Sequence, residues 1–156
     1  MKGMNVPLIL RDEPFTEPTP VELPETLTVA EFAESVTLAD LPSIFDAGYT
    51  KLAAAAPIGP GYALYSGPPL GTFDLEIGFP VAVVPDGFDA GTFPVGRALA
   101  FSHLGGYESL GASWGRLMEH FGASELGEVK FIAEVYTTDP SVTPAADLRT
   151  DLFVIY

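Results

Sequence analysis

The sequence predicts an α+β domain in which a β-α-β-β module occurs twice, its strands joined edge to edge in one antiparallel sheet with two helices on one face and a central groove on the other. Three observations point there. Strand, helix, strand and strand patterns follow one another in the same order in each half of the chain. A shift of 65 residues lays Phe45, Tyr49, Leu52, Ala53 and Ala56 onto Leu110, Trp114, Leu117, Met118 and Phe121, and in the same register Lys51 onto Arg116. A loop rich in Gly, Pro and Asp at residues 85–94 separates the halves, and a longer shift places Glu76 on Asp151.

Residues 1–24 hold five prolines, at 7, 14, 18, 20 and 24, which block helix and interior strand alike and read as an extended arm. The domain proper is expected over residues 25–156, with modules at about 25–84 and 95–156. In the first module the alternation after Glu25 predicts a strand with Leu27, Val29 and Phe32 facing inward. Asp40 offers a helix N-cap, Pro42 is tolerated in the first turn, and the helix runs to about Ala56, before Pro57. Two strands follow, at residues 62–65 and 73–84, linked by a Gly-Pro-Pro-Leu-Gly turn. The second module repeats this order. A strand at 97–104 and a Gly105-Gly106 turn lead into a helix at 107–121 that Gly122 ends in the C′ position. Strands at 131–137 and 148–156 close it, joined by a loop with Pro140 and Pro144.

A content of 47% hydrophobic against 18% charged residues marks a globular chain, and no apolar run approaches the roughly 20 residues that cross a bilayer. No secretory signal is legible, so a cytoplasmic location is expected. The chain has no cysteine, which removes disulfides, thiolate metal sites and cysteine nucleophiles. The net charge of −14 opposes binding to phosphate backbones, and the seven cations, Lys2, Arg11, Lys51, Arg97, Arg116, Lys130 and Arg149, form no stripe along which nucleic acid would track. Such a shell attracts cations, whether small molecules or a basic protein, and equally serves solubility or life in a salty cytoplasm.

Chemistry concentrates at one carboxylate. In the β-prone run from Phe131, alternation puts Ile132, Glu134 and Tyr136 on one face and Phe131, Ala133 and Val135 on the other. A carboxylate left dry among apolar groups costs several kcal/mol, so Glu134 needs water, a donor or a positively charged visitor. On a half-exposed sheet it would simply face solvent. Other constellations carry less. Ser102 and His103 are neighbours on a strand and point to opposite faces, so they form no nucleophile and base pair. His103 and His120 lack metal-ligand spacing, and neither a metal nor a cofactor is expected. Gly105-Gly106 reads as a strand-to-helix turn rather than an anion site.

Gly105, Tyr107, Glu108, Trp114, Glu134, Tyr136, Asp139, Pro140, Leu148, Arg149, Thr150 and Asp151 form an ordered set that resembles the GyrI-like small-molecule-binding family, which includes effector-binding domains of multidrug-responsive transcription regulators. The match is strongest over residues 97–156, extends plausibly from about Leu27, and leaves out the proline-rich arm. The resemblance implies a duplicated β-α-β-β, SHS2-like fold whose groove takes lipophilic, often cationic ligands, held by aromatic side chains and a buried Glu, here Glu134. Tyr136 shares its face. Tyr107, Tyr62, Tyr65, Phe79 and Phe153 are candidate walls, each also a candidate for core packing, and Trp114 is either a helix-face anchor or a ligand platform. Regulators of the family carry a helix-turn-helix domain, for which 24 proline-rich residues leave no room.

Three functions follow. The first is a module that binds, senses or sequesters a lipophilic cation. The resemblance also implies two others: a hydrolase of cyclopropane-bearing electrophilic natural products with Glu134 as the catalytic base or water-orienting group, and an acidic partner or inhibitor of DNA gyrase. Monomer and dimer remain equally open.

Overall fold

A computed structural model describes residues 6–67, 71–139 and 141–156; the expected turn at residues 68–70 and Pro140 lie outside the described residues. Ten principal elements follow in order: β1 (Thr19–Leu23), β2 (Thr28–Val36), α1 (Leu41–Leu52), β3 (Tyr62–Tyr65), β4 (Phe73–Pro80), β5 (Asp89–Ala90), β6 (Gly96–Leu104), α2 (Leu110–Ser124), β7 (Phe131–Tyr136) and β8 (Arg149–Ile155). The eight strands form one sheet in the order β1-β6-β8-β7-β3-β4-β2-β5, and every pairing is antiparallel. The duplicated plan is visible in that order. Strands β2, β4 and β3 form one module and β6, β8 and β7 the other, and they meet where β3 pairs with β7, Ala63 opposite Glu134.

Both helices lie on one face. Helix α1 packs over β4 and β2, and α2 over β6 and β8, so among the described residues the central strands β3 and β7 lie in the gap between the two helices. The leucines matched by the 65-residue shift, Leu52 and Leu117, are both buried in the layer between helices and sheet. Helix α1 comes close because Gly48 has no side chain: a Cβ there would lie 2.4 Å from Ile77 Cδ1 on β4. The opposite face has its own apolar layer, in which Leu8, Phe15 and Leu23 of the N-terminal segment and Phe93 of the intermodule loop cover Tyr62, Ala133, Val135 and Phe153.

Several expectations are corrected by this arrangement. The groove lies between the helices, on their own face of the sheet, because the other face of the central strands is covered by the N-terminal segment and Phe93. Residues 19–23 of the proline-rich arm form β1 on β6; Pro20 is accommodated because β1 is an edge strand. Leu27 and Phe32 are exposed, and the alternation explains Phe32: three positions after the inward Val29, it must point to the other face. The Asp40 carboxylate caps no turn of α1 and instead accepts from the Thr37 backbone N–H (2.9 Å) and Oγ1 (3.2 Å) ahead of a short 3-10 turn. Helix α1 ends at Leu52 and tightens into a 3-10 turn, Ala53–Ala55. Helix α2 runs through Gly122 to Ser124, whose Oγ bonds back to the His120 carbonyl, and Glu125 takes the left-handed position at φ 54°. Strand β5 had no clear sequence signal.

Candidate functional site: an aromatic pocket around Glu134

The gap between the helices is a pocket of about 1050 Å³. Its floor is the helix-side row of the central strands: Tyr65 from β3, and Ile132, Glu134 and Tyr136 from β7. Phe45 and Tyr49 on α1 form one wall together with Phe79 of β4; Leu110, Trp114 and Met118 on α2, with Tyr107 just before it, form the other. Thr137, Thr138 and Asp139 lie at one rim, and Gly59 to Gly61 with Val6 and Ile9 at another. The aromatic rings contact one another edge to face. Tyr136 is 6.3 Å from both Phe45 and Tyr49 and 6.2 Å from Tyr107, and Tyr49 is 5.4 Å from Phe79.

Glu134 is 7% exposed at the floor. Its Oε2 accepts from Trp114 Nε1–H at 2.7 Å, and its Oε1 from the Tyr136 hydroxyl at 2.6 Å and the Tyr65 hydroxyl at 3.3 Å. All three donors are neutral. Among the described residues no Lys or Arg lines the pocket, and the ion pairs are Lys51 with Glu31 and Arg149 with Asp151. The carboxylate is therefore hydrogen-bonded but carries an uncompensated charge in an apolar setting, which an incoming cation would neutralise. With three hydrogen bonds on about four lone-pair positions, one position is left for a visitor.

The surrounding phenols are held as proton donors. Burial, followed by neighbouring Tyr65 and Glu134, pushes Tyr49 well above the ordinary tyrosine range; burial and then Glu134 do the same to Tyr136 and raise Tyr65. Tyr107, closer to solvent, is raised by burial first, then by Glu134 and Asp139. Asp139 at the rim is held below its usual range by hydrogen bonds from Ser141.

Six of the eight residues read from the sequence, Glu134, Tyr136, Tyr107, Trp114, Tyr65 and Phe79, meet in this pocket. The other two do not. Tyr62 and Phe153 lie in the layer on the opposite face, where the Tyr62 hydroxyl donates to the buried Glu76 and its ring packs 4.9 Å from Phe93. Trp114 packs against the core as the helix-face anchor weighed for it, and its indole N–H also donates to Glu134 in the pocket lining. Ser102 and His103 diverge: Ser102 bonds Phe15 and Asp151 on one face, whereas His103 binds the Gly106 carbonyl and Ser113 Oγ beside α2 on the other. Among the described residues no group of His, Asp and Glu is arranged to hold a metal, and no helix is long and apolar enough to cross a membrane.

Sequence reasoning missed Phe45 and Tyr49 as walls, although their 65-residue counterparts Leu110 and Trp114 are walls too. The signal was the coincidence itself. Matched apolar positions that a tightly covered core does not need are the ones that face each other across the duplication.

A family model described as the GyrI-like small molecule binding domain matches residues 59–156. No curated protein matches the chain. Among solved structures, the chain is similar to the C-terminal domain of EcmrR (TM-score 0.71, 14% identity, covering 89% of this chain and 96% of that one). It is also similar to SAV2435 bound to tetraphenylphosphonium (TM-score 0.68, 14% identity, 89% and 93% covered). A third is a hydrolase encoded by lin2189 from Listeria innocua (TM-score 0.59, 10% identity, 92% and 93% covered). At such identities the likeness to these structures is one of fold.

Proposed function

Because the chain belongs to the GyrI-like family of small-molecule-binding domains, we propose that its ligand is a lipophilic organic cation whose charge rests against Glu134 and whose rings fill the aromatic pocket, for sensing or sequestration. One observation carries the reading: a buried carboxylate, bonded among the described residues only to neutral donors, forms the floor of a large pocket whose described lining holds no Lys or Arg. Coulombic attraction at such a carboxylate is several-fold stronger than in water, and each well-placed aromatic face adds about 0.5 to 2 kcal/mol of cation–π attraction. Tetraphenylphosphonium, the ion bound to SAV2435, is a compound of this class. The net charge of −14 draws such ions toward the molecule from a distance.

Titration of Trp114 fluorescence tests it, since this is the sole tryptophan and bonds Glu134 directly. Tetraphenylphosphonium is expected to bind at least tenfold more tightly than neutral triphenylphosphine oxide. Equal affinity for the two would defeat the proposal. The hydrolase reading uses the same carboxylate, with a water at its remaining lone-pair position; it requires consumption of a cyclopropane-bearing alkylator with turnover, a result that simple binding does not produce.

A further inference from the structure

The Leu148 to Asp151 motif has a task that ligand binding does not explain. The Arg149 guanidinium donates to both oxygens of Asp151 (Nε 2.9 Å, Nη2 3.0 Å) and, from Nη1 and Nη2, to the backbone carbonyls of Asp12 (2.7 Å) and Arg11 (3.1 Å). Ser102 Oγ donates to Asp151 at 2.6 Å and accepts from the Phe15 N–H at 2.8 Å, while the Ser102 N–H donates to the Phe15 carbonyl. Residues 11–15 are thus latched to the back of the sheet through side chains of β6 and β8.

The chain ahead of that latch returns to the pocket. Leu8 is buried in the back layer with a left-handed backbone, φ 75°, a conformation that an apolar L residue adopts only when its surroundings hold it there. A turn closed by the Ile9 N–H on the Val6 carbonyl turns Val6 and Ile9 the other way, into the lining of the ligand pocket. Gly59 makes the seat. A Cβ there would lie 2.7 Å from the Pro7 carbonyl oxygen and 3.3 Å from Val6 Cγ1, so the segment lies directly against this glycine. Val6 is 42% exposed, apolar surface at the rim that a ligand filling the pocket would cover.

We propose that residues 6–9 form a strap at the pocket rim, held by the Arg149–Asp151–Ser102 latch, and that Val6 and Ile9 touch the ligand and slow its exit. The inference rests on the cation-binding reading and adds to it. The strap lies outside the 59–156 segment matched by the family model, and it sets selectivity by size: ligands with several rings reach the rim and gain the contact.

The experiment measures Kd and koff for tetraphenylphosphonium by Trp114 fluorescence in the full chain. The double variant Val6→Ser, Ile9→Ser is expected to weaken binding about tenfold, mainly through koff, and the conservative pair Val6→Ile, Ile9→Val to stay within twofold. Val6→Ser alone, at an exposed side chain with no core contact altered, is expected to give about threefold. If wild type binds and the serine variants bind and release the ion as wild type does, the strap is refuted while the pocket reading stands. If wild type fails to bind, or Glu134→Gln binds equally well, the pocket reading falls and takes the strap with it.

Discussion

Replacing Glu134 with Gln isolates the charge from the shape of the site. The two side chains are nearly isosteric, and one amide oxygen still accepts from Tyr136 and Tyr65, but the amide nitrogen now faces the Trp114 N–H, 2.7 Å from the atom it replaces. That donor opposite a donor opposes folding, while loss of a buried uncompensated charge favours it, so the melting temperature is expected to move by only a few degrees. Binding behaves differently. For a cationic centre about 5 Å from the carboxylate and an effective dielectric of about 20, Coulomb's law gives roughly 3 kcal/mol, about two hundredfold in Kd. Isothermal titration calorimetry with tetraphenylphosphonium measures it, with triphenylphosphine oxide as the neutral control, for which wild type and variant should agree within a factor of about three. A folded Glu134→Gln protein that binds tetraphenylphosphonium within threefold of wild type would show that the carboxylate is not what holds the cation.

Alkaline pH should unfold the protein. Phenols whose native pKa lies above the unfolded value of about 10 contribute stability that is fully present below pH 10 and falls as pH rises toward the native values, by about 1.4 kcal/mol per pH unit for each phenol still protonated. Absorbance at 295 nm should therefore show tyrosinate from Tyr49, Tyr65 and Tyr136 appearing only with loss of the far-UV circular dichroism signal; titration of all tyrosines in the folded state would contradict the burial. Arg149→Ala strands the fully buried Asp151 with Ser102 as its remaining side-chain donor, at a cost of about 3 to 5 kcal/mol in urea denaturation. A loss under 1 kcal/mol would mean that the pair is not a structural latch. Gly78→Ala would drive a Cβ to 2.3 Å from the Val29 carbonyl oxygen of the neighbouring strand, and a melting-temperature drop of about 10 °C is expected from a cost of about 3 kcal/mol; an unchanged melting temperature would disprove that packing.

Local patterns predicted the elements well and their third dimension poorly. Period-2 alternation put Glu134, Ile132 and Tyr136 on one face, and the 65-residue shift found both helices, because these are properties of neighbouring residues. The sheet order that joins β3 to β7 also follows from the duplication. What the sequence did not disclose is which face of the sheet lies open. That depends on Leu8 and Phe15, more than a hundred residues away in the chain, and on Phe93 of the intermodule loop reaching back to cover Phe153, and prolines at 7, 14, 18, 20 and 24 read only as an arm. Tyr62 and Phe153 were assigned to the groove for the same reason: their aromatic character was plain and their side of the sheet was not. Helix ends failed on a smaller scale, since Gly122 fits the C′ pattern while Ala123 and Ser124 are compatible with one further turn that the Ser124 hydroxyl secures on the His120 carbonyl.

Among the described residues three carboxylates of the sheet are buried, and comparing them shows why only one is proposed as a site. Asp151 meets a guanidinium and a hydroxyl, so its charge is neutralised within the fold. Glu76 accepts from the Tyr62 and Thr92 hydroxyls and the Thr92 N–H, in a close-packed corner where even a Cβ on Gly91 would lie 2.8 Å from its Oε2. A ligand has no room there. Among these three, Glu134 alone joins neutral donors to open volume, because it lies on the central strands in the gap between the two helices. An internal cation at this position would have stabilised the folded chain and closed the site. Neutral phenol and indole donors hold the carboxylate in place and surround it with aromatic faces, so under the proposed function the same geometry that forgoes an ion pair in the free protein would suit cations carrying flat or branched apolar groups alike.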